Sequence, residues 1–272
     1  MRPSDFTLYV CPRCRGRLVV EGGSRLLCGP CRLAYPIIGG IPDFILDNLA
    51  KSPHLILQRV KVFDWLARFY DWKPVYPFAV RVYAGWRVSH ARIMRLMVEL
   101  VAGVKGLILD VACGPGTLGR RLARRHREIY GIDMSWGMLR EGAALATRER
   151  INTVHFARAL AEALPFPDGC FEAALCGAAL HLLADPLQGL VEISRTLKPG
   201  APLAATTVMA GDHGLFKYRA FREHMDKSHG LHTFSLEELA QLTAQAGFQD
   251  FQPQVFGSLV AFRVRKQGKS LG

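Results

Sequence analysis

The chain has 272 residues, half of them hydrophobic, enough to bury a full core in one large domain with a small one beside it. No apolar run reaches the ~18 residues of a membrane span, and the opening MRPSDFTLYV lacks the apolar stretch of a secretory leader, so a cytoplasmic chain is expected. The net charge of +12, from 35 Lys+Arg against 23 Asp+Glu, raises RNA and an anionic membrane surface as partners, although arginines spread over many helices also serve solubility.

The first elements are two CxxC pairs, Cys11/Cys14 and Cys28/Cys31, in CPRCRGRLVVEGGSRLLCGPC. This is zinc-ribbon spacing: each pair forms a knuckle, turned by Pro12 in one and Gly29-Pro30 in the other, and aims two thiolates at a tetrahedral ion. Between them, apolar strands flank a turn at Glu21-Gly22-Gly23-Ser24. So short a segment folds on its metal rather than on a core. Four sulfur ligands leave no open position for substrate or water, so the predicted Zn2+ is structural. Two disulfides are the rival, a poor one for a cytosolic chain. Arg13, Arg15, Arg17, Arg25 and Arg32 offset the charge of four thiolates. The remaining cysteines, Cys113, Cys170 and Cys176, read as buried thiols. With YPIIGGIPDF added, the stretch from Ile37 to Phe44 and the two CxxC pairs resemble the Trm112-like zinc modules found beside methyltransferases. The module is assigned to residues 1–46.

Residues 47–103 read as a helical linker and substrate lid, with apolar residues at three- and four-residue intervals. The first helix, spanning residues 53–72, concentrates Phe63, Trp65, Phe69, Tyr70 and Trp72, which suits a wall over an apolar substrate. Amphipathic and basic, these helices allow peripheral membrane contact, but covering a sheet is the favoured reading.

From residue 104 to 272, strands alternate with helices: GLILDVA, EIYGIDM, TVHFARA, FEAALCG, APLAATTVM, then strand candidates around Phe248–Gln252 and Leu259–Arg265. The pattern predicts an α/β fold, a Rossmann-like seven-stranded doubly wound sheet, whose ligands bind beyond the carboxyl ends of the strands. The loop after the first of these strands holds Gly114 and Gly116 but lacks the GxxxxGK[ST] of a P-loop. Asp110 just before it repels a pyrophosphate and attracts an amine. Asp133, nineteen residues past Gly114, is placed to accept from ribose hydroxyls. The structural alternatives are that Asp110 caps the loop and Asp133 the helix near Ser135.

LILDVACGPGTLGRRLA, YGIDMSWGML, ALPFPDGCFEAAL, HLLADPLQGLVEISRTLKPG and AGF resemble, in order, the motifs of class I S-adenosylmethionine-dependent methyltransferases of the UbiE-like branch. The resemblance spans residues 104–262 and implies S-adenosyl-L-methionine as cofactor. Carried over, Asp110, Gly114 and Gly116 hold the methionine part, Asp133 the ribose and Met134 the adenine side. Ala112, Leu160, Ala161 and Cys176 complete the cofactor-binding positions. Leu160 stands where the family's adenine-binding Asp is usual, so either Glu162 substitutes or backbone and apolar groups hold the base. His181, just past the fourth strand of the large domain, is the catalytic candidate, as a base if the acceptor is a hydroxyl or acidic carbon; packing under the next helix is the competing role. Asp185 reads as a helix cap. His213, His224, His229 and His232 follow the fifth strand without metal-site spacing. Three function classes follow in order: methyl transfer to a small apolar acceptor (prenylated, lipid-like or natural-product), an rRNA guanine methyltransferase gripping RNA through the ribbon, and a non-catalytic zinc-stabilised scaffold. Oligomeric state is left open.

Overall fold

In the zinc module, β1 (Leu18–Glu21) and β2 (Arg25–Cys28) pair antiparallel around Gly22 and Gly23, both at positive φ. β3 (Ala34–Ile38) and β4 (Ile41–Pro42) complete a four-stranded sheet in the order β1-β2-β3-β4. The computed structural model describes residues 6–45, 61, 63–65, 67, 88–123, 127–211 and 214–268. His213 and much of the aromatic helix, including Phe69, Tyr70 and Trp72, lie outside those residues.

The large domain is built on β5 (Leu107–Val111), β6 (Glu128–Asp133), β7 (Val154–Arg158), β8 (Ala173–Gly177), β9 (Pro202–Val208), β10 (Phe248–Phe256) and β11 (Leu259–Lys266), in the order β10-β11-β9-β8-β5-β6-β7. The five strands β5 to β9 are parallel, as their apolar runs and intervening helices dictate. The last two are antiparallel. Only Gly257 and Ser258 separate β10 from β11, too few for a crossover helix, so the chain can only turn back on itself.

One face of this sheet is covered by α1 (His90–Leu100), α2 (Thr117–Ala123) and α3 (Trp136–Arg148). Met97 and Leu122 pack there on Ile108 and Ile129, while Leu139 and Ala146 pack with Phe156. The other face takes α4 (Pro186–Thr196) and α6 (Leu236–Gln245), through Leu190, Ile193 and Leu239. α5 (Arg219–His229) stands between β9 and α6 and packs Phe221 and Met225 on Val208, Phe216 and Leu231.

No helix separates β7 from β8. The zinc module fills the face this leaves bare. Tyr9 sets its ring 5.9 Å from Tyr130 and 5.3 Å from Phe166 and Phe44, in one apolar cluster with the sheet core. Polar contacts add direction: Val10 N–H donates to the Pro165 carbonyl, Arg15 pairs with Glu192 at 2.8 Å, and Phe44 N–H donates to the Arg158 carbonyl. A buried partner for each polar group is what a docked, rather than tethered, module requires.

Candidate active site and metal centre

The four cysteine sulfurs lie within 4.8 Å of one another, with Cys11–Cys31 at 3.5 Å and Cys14–Cys28 at 3.4 Å, and none forms a disulfide. Tetrahedral zinc with bonds of about 2.3 Å sets its sulfurs about 3.8 Å apart, so the cluster fits the ion. The two knuckles repeat one geometry: Arg15 N–H donates to the Cys11 carbonyl and Arg32 N–H to that of Cys28, with both arginines at positive φ. Tyr35 brings its hydroxyl 3.1 Å from Cys11 Sγ. Burial works against the Cys11 thiolate, but that hydroxyl and the Cys14 and Arg13 amides outweigh it and hold the thiol down at about 7.

At the carboxyl edge of the sheet, β5 continues through Ala112, Gly114 and Gly116, all at positive φ. On the adjacent strand Ala178, directly after β8, is also at positive φ. Two alanines in a conformation that disfavours side chains, at neighbouring strand ends, mark a backbone held for a purpose. They flank the crevice between β5 and β8, where the strand order reverses and doubly wound sheets take their ligands.

The glycine loop is fixed from several sides. Gly114 N–H donates to Asp133 Oδ2 (2.9 Å), Gly119 N–H to Asp110 Oδ2 (3.2 Å) and Cys113 N–H to the Ile132 carbonyl (2.9 Å). A Cβ on Gly116 would meet Phe156 at 2.9 Å, and so would one on Gly142 of α3, while one on Gly131 would meet Cys113 Sγ at 2.9 Å and Phe156 at 3.4 Å. Buried Arg120 donates to the Pro115 carbonyl and pairs with Glu149.

The predicted cofactor residues Asp110, Ala112, Gly114, Gly116 and Asp133 therefore meet at one strand edge, with Met134 next in the chain. Burial, with Asp133 nearby, pushes the Asp110 carboxyl up to about 7 against the Gly119 amide. Burial also raises Asp133, opposed by the amides of Ser135, Gly114 and Met134 and aided by Asp64. A buried carboxyl with no cation beside it among the described residues suits the ammonium of a methionine moiety, and the loop is a cradle that side chains would fill. Ser135 is the N-cap of α3, its hydroxyl accepting from Met138 N–H, and Asp133 Oδ1 accepts from Ser135 N–H. Asp185 caps α4 as expected.

Glu162 is engaged elsewhere, accepting from Ala184 and Asp185 N–H. Of the two alternatives for adenine, that geometry favours backbone and apolar groups near Leu160 and the buried Ala161. Cys176 is wholly buried in the floor of the crevice, which pushes its thiol up to about 12. His181 is buried beyond β8, its Nδ1 3.2 Å from Thr207 Oγ1 and its carbonyl accepting from His232 N–H. His224 is exposed and His232 lies 3.5 Å from Asp226, so they form no metal cluster among the described residues.

Two groups escaped the sequence reading. Asp64 accepts from Ser135 Oγ and from Gly137 N–H (2.8 Å), and a Cβ on Gly137 would strike its backbone at 2.6 Å. Its neighbour Trp65 is 69% exposed, so that ring does not line the wall expected of the aromatic helix. The second is Arg158, half-buried at the end of β7. A charged residue at a strand end was the only signal for it.

Residues 108–200 match the methyltransferase domain family and residues 9–40 the Trm112p-like protein family. A demethylmenaquinone methyltransferase of Lactiplantibacillus plantarum is 32% identical over 60% of this chain and 79% of its own. The chain is an S-adenosylmethionine-dependent methyltransferase. A chloroplastic methyltransferase of Arabidopsis thaliana is 27% identical to this methyltransferase over 96% of its length, covering 79% of the plant protein. In fold the methyltransferase is similar to the [4+2]-cyclase SpnF, with a TM-score of 0.63, 21% identity and coverage of 80% of this chain and 97% of that one. It is similar also to a phosphoethanolamine N-methyltransferase of Haemonchus contortus, with a TM-score of 0.65, 16% identity and coverage of 80% and 61%. S-Adenosylmethionine is thus its cofactor and zinc the ion its four cysteines fit.

Proposed function

We propose that the methyl acceptor is a small apolar molecule of the prenylated-ring or lipid-like class, modified in the cytoplasm. The observation that carries this is an apolar cluster just past the end of β9, Val208, Phe216 and Leu231 joined by Leu182, Phe221 and Met225, in which Leu182 follows His181 directly in the chain; we read it as the cover of the acceptor side. Relatives whose names specify demethylmenaquinone as substrate support it. Among the described residues no helix is long and apolar enough to cross a membrane, so such an acceptor is met at a surface or in solution.

When bound, the cofactor supplies a methyl made electrophilic by its sulfonium. The protein's part is alignment, which alone supplies much of the acceleration. Asp110 and Asp133 fix the donor; the cover excludes water and presents the acceptor in line. His181 is the proposed base: Thr207 Oγ1, 3.2 Å from its Nδ1, orients the ring, and the imidazole takes the proton the acceptor gives up as its new bond to the methyl forms. RNA is the second reading, favoured by the exposure of Arg13, Arg17 and Arg32 on the module.

Labelled methyl donor incubated with cell extract separates the two. Label is expected in the organic-soluble fraction, at a rate almost independent of salt. Label in RNA, with turnover collapsing between low and moderate salt, would reverse the order, because contacts to several phosphates weaken steeply with salt.

A further inference from the structure

We propose that the zinc module sets the affinity of the cofactor site through Arg158, a positioning residue that locks the peptide unit between Met134 and Ser135. The guanidinium stands between module and site. Arg158 Nη1 pairs with Asp43 Oδ2 at 3.0 Å, and its Nε donates to the Met134 carbonyl at 2.8 Å. Both side chains of the ion pair are nearly buried, at 12% and 10% exposure, so water is a poor substitute partner for either charge. The ring of Trp136, the first residue of α3, lies 5.4 Å from the guanidinium carbon.

What makes this more than a docking contact is the identity of the peptide held. The Met134 C=O and the Ser135 N–H belong to one planar unit. Arg158 grips the carbonyl side; the N–H side donates to Asp133 Oδ1 at 2.9 Å. Rotation of that plane would turn the amide away from the carboxylate. Asp133 also accepts from Gly114 N–H at 2.9 Å, so its orientation carries the glycine loop with it.

On the module side the line runs back to the metal. Asp43 N–H donates to the Pro36 carbonyl of β3, and β3 carries Tyr35, whose hydroxyl meets Cys11 Sγ. The position of Asp43 therefore depends on a folded, metal-filled ribbon. Coupling of this kind is reciprocal: if zinc tightens cofactor binding, cofactor must tighten zinc retention by the same factor. The inference rests on Asp133 as the cofactor's anchor, not on any acceptor.

Calorimetry of S-adenosylmethionine binding tests it on zinc-loaded full-length protein. Asp43→Asn removes the charge and keeps the shape. It should retain zinc by native mass spectrometry and weaken cofactor binding roughly five- to tenfold, the lower range of measured couplings. Arg15→Gln cuts a different module contact, the pair with Glu192 that touches nothing near Met134, and should leave affinity within about twofold. Equal losses in both variants would mean general loosening and overturn the proposal, as would unchanged affinity in Asp43→Asn. In the unmutated protein, saturating cofactor should tighten zinc binding by the same factor, read at equilibrium by competition with a chelator, and an unaltered zinc affinity refutes the coupling without any variant. Asp133→Ala, measured alongside, tells failure of the anchor from failure of the brace.

Discussion

The pH dependence of the cofactor site can be worked from Asp110. Its carboxyl, 2% exposed, is pushed by burial and by Asp133 from 3.8 to about 7. The folded state then holds a proton that the unfolded chain gives up, so stability is greatest below the unfolded value and falls as pH rises toward the folded one. Three units at about 1.4 kcal/mol each make about 4 kcal/mol in full. Roughly half of that, about 2 kcal/mol, falls between about pH 5.5 and 7, a range that avoids acid release of zinc. For a chain of this size it corresponds to a drop in Tm on the order of 4–8 °C. Asp110→Asn keeps an acceptor for Gly119 N–H and removes the ionisation. Thermal unfolding at about pH 5.5 and 8 should show the parent losing that much more than the variant. Bound cofactor should flatten the parent's curve, because an ammonium beside Asp110 favours the ionised form, and binding near pH 6 to 7 should release a proton. Parallel curves for parent and variant would refute the assignment of Asp110 as a buried, cation-seeking carboxyl.

Other expectations follow from the same geometry. Replacing Cys28 and Cys31 together by Ser should abolish the single zinc seen by native mass spectrometry and unfold the first ~45 residues, since four thiolates carry that fold; full zinc occupancy in the variant would contradict the site. Asp133→Ala should weaken S-adenosylmethionine binding by about 1.5–3 kcal/mol, read by calorimetry, and unchanged affinity would remove its role. Gly116→Ala places a Cβ 2.9 Å from Phe156 in a left-handed backbone; a loss of about 2–4 kcal/mol in stability is expected by denaturant titration. His181→Ala should lower turnover with cofactor affinity intact, whereas lost stability with normal turnover of the folded fraction would assign it to packing.

Local signals were readable where one short segment carries the whole cause. Each knuckle is closed within a few residues of its own CxxC pair, and β5 with its loop announces itself by an apolar run ending in Asp110 and glycines. The orientation of β10 and β11 was less accessible, because alternation marks a strand without its direction; the two-residue turn at Gly257 decides it. The module's seat was hidden for a different reason. Asp43 meets Arg158 and Arg15 meets Glu192 across more than a hundred residues, and neither member of either pair stands out alone. Glu162 shows the converse. Its sequence position invited a role with adenine, but two backbone amides compete for the same oxygen and hold it.

The ring of Phe156 is the wall shared by Gly116, Gly142 and Gly131. Each glycine lies on a different element; Gly116 and Gly142 are held small by this ring, whereas Gly131 is held small by Cys113 Sγ, with the ring only in ordinary contact. A larger residue at 116 or 142 needs a smaller one at 156, and a smaller residue at 156 opens voids against both. Single steps away from this arrangement should run downhill in fitness, while paired steps cross it, so these two glycines and the phenylalanine should behave as one inherited character. A library randomised at positions 116, 142 and 156 and selected for cofactor binding should return compensated pairs and very few lone changes; a harvest of lone changes would show that the ring yields more easily than its contacts imply.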